Sequence, residues 1–210
     1  MKHIALALLS LACSACGGAA QSRPPIVQPG APGEATRVVG PSAAADMSHV
    51  GHTAGDVRFM QGMIGHHAQA VEMTDLVDSR TSTDAMRKLA QRIQVSQADE
   101  IKMMERWLAA RGEQTPSAHA HHAMGATLMP GMLTAEEMAR LSAAKGREFD
   151  RLFLEGMIKH HAGALVMVKD LFATPGAGQE SDVFAFASDV DADQRMEIDR
   201  MRAMLKEYQQ

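Results

Sequence analysis

From about residue 55 onward, apolar residues recur at three- and four-residue spacing. In the stretch from Asp56 to Met73, Met60, Met63, Ile64, His67, Ala70 and Val71 fall on one face at 3.6 residues per turn. This predicts a helix from about Gly55 to Val77, opened by Thr53 with Asp56. A second helix is expected from near Thr83 to Arg111, stopped by Gly112. Its inner face reads Met86, Leu89, Ile93, Gln97, Glu100, Ile101, Met104 and Leu108. Thr134-Ala135-Glu136-Glu137 reads as a capping box for a short helix to about Lys145, and Gly146 separates it from a long helix ending near Phe172. Thr174-Pro175-Gly176-Ala177-Gly178 breaks the pattern, and Ser181 is expected to cap a last helix to about Tyr208. Runs of Val, Ile, Thr and aromatic residues with period two are absent, so no sheet is expected.

The pattern occurs twice. Phe59 to Ala70 and Phe153 to Ala164 both read Phe-x-x-Gly-Met-Ile-x-His-His-Ala-x-Ala, with Met73 and Met167 three residues further on. The helices that follow also correspond, with Val183, Phe186 and Val190 answering Met86, Leu89 and Ile93. Gln97-x-x-Glu100-Ile101 answers Gln194-x-x-Glu197-Ile198. The repeated unit is therefore a helical hairpin, and two such hairpins predict an all-α four-helix bundle with pseudo-two-fold symmetry. The first repeat spans 53–112, a His- and Met-bearing linker 113–133, and the second repeat 134–208, within a bundle at 46–208.

Residues 17–45 change character. Arg23-Pro24-Pro25 and Pro29-Gly30-Ala31-Pro32-Gly33 read as an extended, disordered tether. Before it, Lys2 and the run Ile4-Ala5-Leu6-Ala7-Leu8-Leu9 have a signal-peptide profile over residues 1–16. The small residues around Cys13 and Cys16 resemble a bacterial lipoprotein signal, with Cys16 the first choice for lipidation and Cys13 the second; an ordinary cleaved secretory signal is the alternative. Export and a membrane anchor facing the periplasm or cell exterior follow from that resemblance. With both cysteines here, the helical part holds neither a disulfide nor a cysteine zinc site.

Composition sharpens the chemistry. Of 210 residues 46% are hydrophobic, enough for one real core. Aromatic residues make up only 4% whereas 17 residues are methionine, a gap filler that is also a soft thioether ligand. A net charge of −4 offers no basic field for nucleic acid.

A lone imidazole on an apolar face is usually a core residue. Four of them, His66, His67, His160 and His161, each close in sequence to Met63, Met73, Met157 or Met167, point to metal. Gln97, Glu100, Gln194 and Glu197 interrupt the apolar stripes of the partner helices. They are candidate ligands, acceptors for a histidine N–H, or partly exposed residues, with the acceptor role ranked first. Weaker candidates lie in loops: His49 and His52, then His119, His121, His122 and Met124.

The two His-His hairpins, the Gln-x-x-Glu-Ile pairs and the intervening Met129-Pro130-Gly131-Met132 together resemble the bacterial domain-of-unknown-function family numbered three hundred and five, over roughly Asp46 to Leu205. The resemblance implies a ferritin-like fold, an exported or membrane-anchored protein, and a link to copper binding and resistance. It marks Met63, His66, His67, Met73, Met157, His160, His161 and Met167 as site residues. The halves are not equivalent ligand sets, because Glu72 corresponds to Val166 and Met60 to Leu154. Di-iron chemistry is not expected, since no Glu has a His three residues later.

Thioether with imidazole suits Cu(I), and imidazole also accepts Cu(II), so copper is the expected ion and zinc the second choice. Binding or buffering is expected rather than catalysis. The alternatives are a metal-dependent enzyme with Glu100 or Glu197 as base, and a structural bundle without metal.

Overall fold

Thr53 and Thr134 open helices by the same reciprocal bond. The Thr53 side chain accepts the Asp56 N–H at 3.2 Å, and the Asp56 carboxylate accepts the Thr53 N–H at 2.7 Å. Thr134 and Glu137 repeat this at 3.1 and 2.8 Å. The computed structural model describes residues 26–28, 37–41, 51–117 and 128–207. Thr53 leads into α1 (Ala54–Asp75), followed by the single turn α2 (Val77–Arg80) and by α3 (Asp84–Ala110). Gly112 takes φ +69° after α3, so that Glu113 N–H reaches the Leu108 carbonyl at 3.0 Å and Gly112 N–H that of Ala109 at 3.1 Å. Thr134 opens α4 (Ala135–Ala143), and Gly146 at φ +57° turns the chain into α5 (Gly146–Ala173).

The last helix, α6 (Ser181–Glu207), begins differently from the sequence expectation. Glu180, not Ser181, supplies the cap: its carboxylate accepts the Val183 N–H at 3.1 Å and its carbonyl the Phe184 N–H at 2.8 Å. Serine is the commoner cap, which favours Ser181 in a reading of sequence alone. Glu180 is held at the cap because its carboxylate also accepts Trp107 Nε1–H at 3.1 Å and pairs with Arg111 at 2.9 Å.

α1 packs on α3, α5 on α6, and α1 on α5, which makes the all-α bundle of two hairpins. One part of the core gathers Met60, Met63, Met104, Leu108, Val183 and Phe186. The other gathers Met73, Met86, Leu89, Phe149, Phe153 and Met157. Burying each such side chain stabilises the fold by about 1.5–3 kcal/mol.

Residues Met1–Asp46 form a unit separate from Met47–Gln210. The described residues of the second unit contain no strand. In the first unit, however, β1 (Ile26–Gln28) pairs antiparallel with β2 (Arg37–Val39), in register Ile26 to Val39. This corrects the expectation of no sheet anywhere. Ile26, Val27, Val38 and Val39 are β-branched and favour extended backbone, but three residues are too few to show an alternating pattern.

Candidate metal centre

The two His-His pairs meet where α1 crosses α5. His66, His67, His160 and His161 are all completely buried. The His66 and His160 rings stack with centroids 3.9 Å apart and planes at 34°. His67 lies 6.4 Å from His66, and His161 lies 6.3 Å from His160. The four imidazoles therefore form one folded row through the middle of the bundle, linked ring to ring as His67–His66–His160–His161, with its ends turned toward each other so that His67 and Glu100 both act electrostatically on His161. A carboxylate closes each end. His67 Nε2 is 2.5 Å from Glu100 Oε2 on α3, and His161 Nε2 is 2.7 Å from Glu197 Oε2 on α6.

These partners set the tautomers. A carbonyl can only accept, so His160 Nε2 donates to the His66 carbonyl at 2.9 Å, and His66 Nε2 donates to the Pro130 carbonyl at 2.9 Å. His67 and His161 donate Nε2–H to their carboxylates. In a neutral ring the other nitrogen, Nδ1, is then a bare lone pair. Among the described residues, Nδ1 of His67, His160 and His161 is buried with no hydrogen-bond partner. An imidazole oriented through one nitrogen by a carboxylate or carbonyl, with the other nitrogen bare, is the usual form of a metal-ligating histidine.

Burial disfavours protonation of the two histidines of α5. Burial, reinforced by the neighbouring imidazoles, holds His160 well below the ordinary histidine value. Burial also lowers His161, with Glu197 opposing it. For Glu100 burial alone would raise the carboxyl, but the His67 hydrogen bond and charge and the Ser96 hydroxyl together hold it below the ordinary value. The sign of the pH dependence follows. The depressed histidines contribute stability that is complete above their unfolded value of 6.5 and is lost progressively as pH falls below it. Glu100 adds a second loss below 4.5. The melting temperature of the metal-free protein should therefore fall from pH 7.5 to 5 and fall further toward pH 4. A flat profile would mean that the row protonates without cost in the fold.

The other predicted residues are distributed unevenly. Met63, Met73 and Met157 are completely buried, whereas Met167 is half-buried. Gln97 and Gln194 are buried, and the Oε1 atom of each has no partner among the described residues. His52 lies apart from the row: its ring stands edge-on to Trp107 at 5.5 Å, with Nε2 3.5 Å from Glu113. His49, His119, His121, His122, Met124, Cys13 and Cys16 lie outside the described residues. Among the described residues no three His, Cys, Asp or Glu side chains converge tightly enough to hold an ion by themselves. Solvent approaches both ends of the row. A groove of 720 Å³ between α3 and α6 reaches Glu100, and one of 380 Å³ reaches Glu197, with Ser96 and Asp193 lining both.

Residues 56–205 match the family described as Domain of unknown function (DUF305). The chain belongs to this family. A DUF305 fragment from Deinococcus radiodurans is 32% identical, with a TM-score of 0.64 over 74% of this chain and 98% of that one. A candidate secreted DUF305 protein from Streptomyces coelicolor is also 32% identical, with a TM-score of 0.62 over 73% of this chain and 93% of that one. CopM in its Cu(II)-bound form is 25% identical, with a TM-score of 0.58 over 73% of this chain and 97% of that one. No curated protein matches the chain.

Several residues that build the centre of this DUF305 bundle escape a reading for ligands. Ser96 donates to Glu100 Oε1 at 2.9 Å and holds the carboxylate toward His67. Gln69 exchanges two bonds with Leu133, its amide donating to the carbonyl at 2.9 Å and its oxygen accepting the N–H at 2.8 Å. Gly163, which occupies the Gln69 position of the second copy, lies directly beneath Pro130: a Cβ there would come within 1.9 Å of the Pro130 carbonyl oxygen. These two residues fix the segment 129–133 over the row. The signal for them is the mismatch itself, Gln69 against Gly163, at a position where the flanking residues repeat.

Proposed function

We propose that the protein is an exported copper-binding protein that buffers or sequesters the ion, using the buried imidazole row and nearby thioethers. The observation that carries this reading is the set of buried Nδ1 lone pairs on His67, His160 and His161, each on a ring oriented through Nε2. Leaving such nitrogens unused in a core is costly, and a metal ion satisfies them. The donor set is neutral and soft, imidazole with methionine sulfur, which suits Cu(I) and tolerates Cu(II) better than it suits zinc. CopM, similar in fold, is known in a Cu(II)-bound form, and this supports the same class of cargo here. Met63 and Met157 stand one helical turn before His67 and His161, a spacing that supports thioether sulfur as a partner of the rings. Export and a lipid anchor at Cys16 (or Cys13) belong to the same reading, with the anchor tested by release of a Cys16→Ser variant from the membrane fraction. Among the described residues no helix is long and apolar enough to cross a membrane.

The test compares two variants by competition with a Cu(I) chelator under reducing conditions. One replaces His66, His67, His160 and His161 with alanine, and the other replaces His119, His121 and His122. The preorganised helical set should carry the tight phase and the loop set only a weak one. X-ray absorption at the copper edge of the unaltered protein should show imidazole nitrogen together with sulfur. Absence of nitrogen scattering, or a tight phase retained by a folded four-histidine variant, would overturn the reading.

A further inference from the structure

Two methionines from separate segments converge over α1. A Cβ on Gly62 would lie 3.4 Å from Met167 Cε and 3.5 Å from Met129 Sδ, and one on Gly65 would lie 3.5 Å from Met129 Cε. Met129 precedes α4 and Met167 belongs to α5. Both are half-buried, while Met63, Met73 and Met157 are sealed in the core. Pro130, the next residue after Met129, gives its carbonyl to His66, so this pair of side chains lies beside the imidazole row.

The internal repeat supplies a control. Gly156 corresponds to Gly62, and a Cβ there would meet Met73 Cε at 3.2 Å and Leu133 Cδ2 at 3.1 Å. Met73 thus stands where Met167 stands in the first copy, but a leucine takes the part of Met129. Met73 and Leu133 are buried at 0% and 4% exposure, so the second place is a closed hydrocarbon contact. Gly65 likewise corresponds to Lys159, whose ammonium pairs with Glu137 at 2.7 Å. The fold therefore packs well with leucine at this position, and methionine at 129 is not required for packing. What Met129 adds is a second thioether on a half-buried side chain.

We propose that Met129 and Met167 form a two-thioether site for a soft monovalent cation, Cu(I) or Ag(I), present once among the described residues at the edge of the imidazole row. It deepens the copper reading by naming where a soft ion first meets the bundle, and adds Met129 as a ligand. Binding there exchanges water for two neutral sulfurs and changes no oxidation state.

The experiment labels the methionine methyl groups with 13C and titrates the folded protein with Ag(I). The Met129 and Met167 methyl signals should move together in the first, fast-exchanging step. Met129→Leu should abolish the Met167 shift and weaken that step at least tenfold, with circular dichroism unchanged because leucine replaces methionine at similar volume. Leu133→Met should create no second such step at Met73, because that place is closed to solvent. Unchanged Met167 shifts in the Met129→Leu protein, or a first step confined to buried methyls, would overturn the proposal. The two readings separate cleanly. A Met129–Met167 response with no nitrogen scattering from bound copper sinks only the imidazole row, and the converse sinks only the thioether pair.

Discussion

Gly163→Ala is expected to lift the 129–133 segment off α5 and to lower stability by about 3 kcal/mol or more. The reason is backbone against backbone. The added Cβ would sit 1.9 Å from the Pro130 carbonyl oxygen, 2.4 Å from its carbon and 2.6 Å from Gly131 Cα. None of these atoms can rotate away as a side chain would. Gly131 is itself confined, at φ +74°, with its own position for a Cβ only 2.4 Å from the Lys159 carbonyl. Relief therefore requires the whole segment to move, breaking the His66–Pro130 bond and straining the paired bonds of Gln69 with Leu133. Each buried polar group left unmatched costs about 1–3 kcal/mol. Gly65→Ala is the contrasting variant. Its Cβ would make only an ordinary contact with Met129 at 3.5 Å, and alanine favours a helix interior over glycine by about 0.8–1 kcal/mol. Urea unfolding of both proteins checks the pair, with Gly163→Ala strongly destabilised and Gly65→Ala equal to the parent or better. Equal stability of the two variants would show that the segment does not rest on α5 as described.

The same contrast explains what the sequence reveals and what it hides. The helices, their repeat and both threonine capping boxes are local features, readable from periodicity and from residue pairs three apart. The opposition of Glu100 to His67 and of Glu197 to His161 is also legible, because a polar residue repeated on an otherwise apolar face needs a partner on the facing helix. Complete burial of His66 was less so. A helical wheel with one apolar face puts His66 on the flank, whereas α1 is covered by α3 on one side and by α5 on another. The docking of 129–133 is a contact across more than sixty residues, and its determinants look like breaks in the repeat. Glu180 illustrates the same difficulty: it caps α6 because Trp107 and Arg111 anchor it, and neither is near it in sequence.

Glu100→Gln and Glu197→Gln test whether the carboxylates at the ends of the row govern the ligand character of the imidazoles. As they stand, each carboxylate accepts an Nε2–H, fixes the tautomer and leaves Nδ1 bare. An amide keeps the volume but removes the charge, and its NH2 group can present a donor to Nε2. That choice would favour the other tautomer, placing the proton on Nδ1 and blocking the lone pair. Loss of a carboxylate behind a ligating histidine typically weakens metal binding 10- to 100-fold. Each single variant should therefore lose about 1.4–2.7 kcal/mol of copper affinity. Glu100 also acts electrostatically on His161, so the two ends are coupled and the losses in the double variant should depart from simple addition. Ser96→Ala, which removes only the hydroxyl that steadies Glu100, should produce a smaller loss confined to that end. Chelator competition at neutral pH measures all four proteins, with circular dichroism to confirm that the helices persist. If the double variant binds copper as tightly as the parent, the carboxylates do not orient ligands, and the Glu–His pairs serve only to satisfy polar groups inside the bundle.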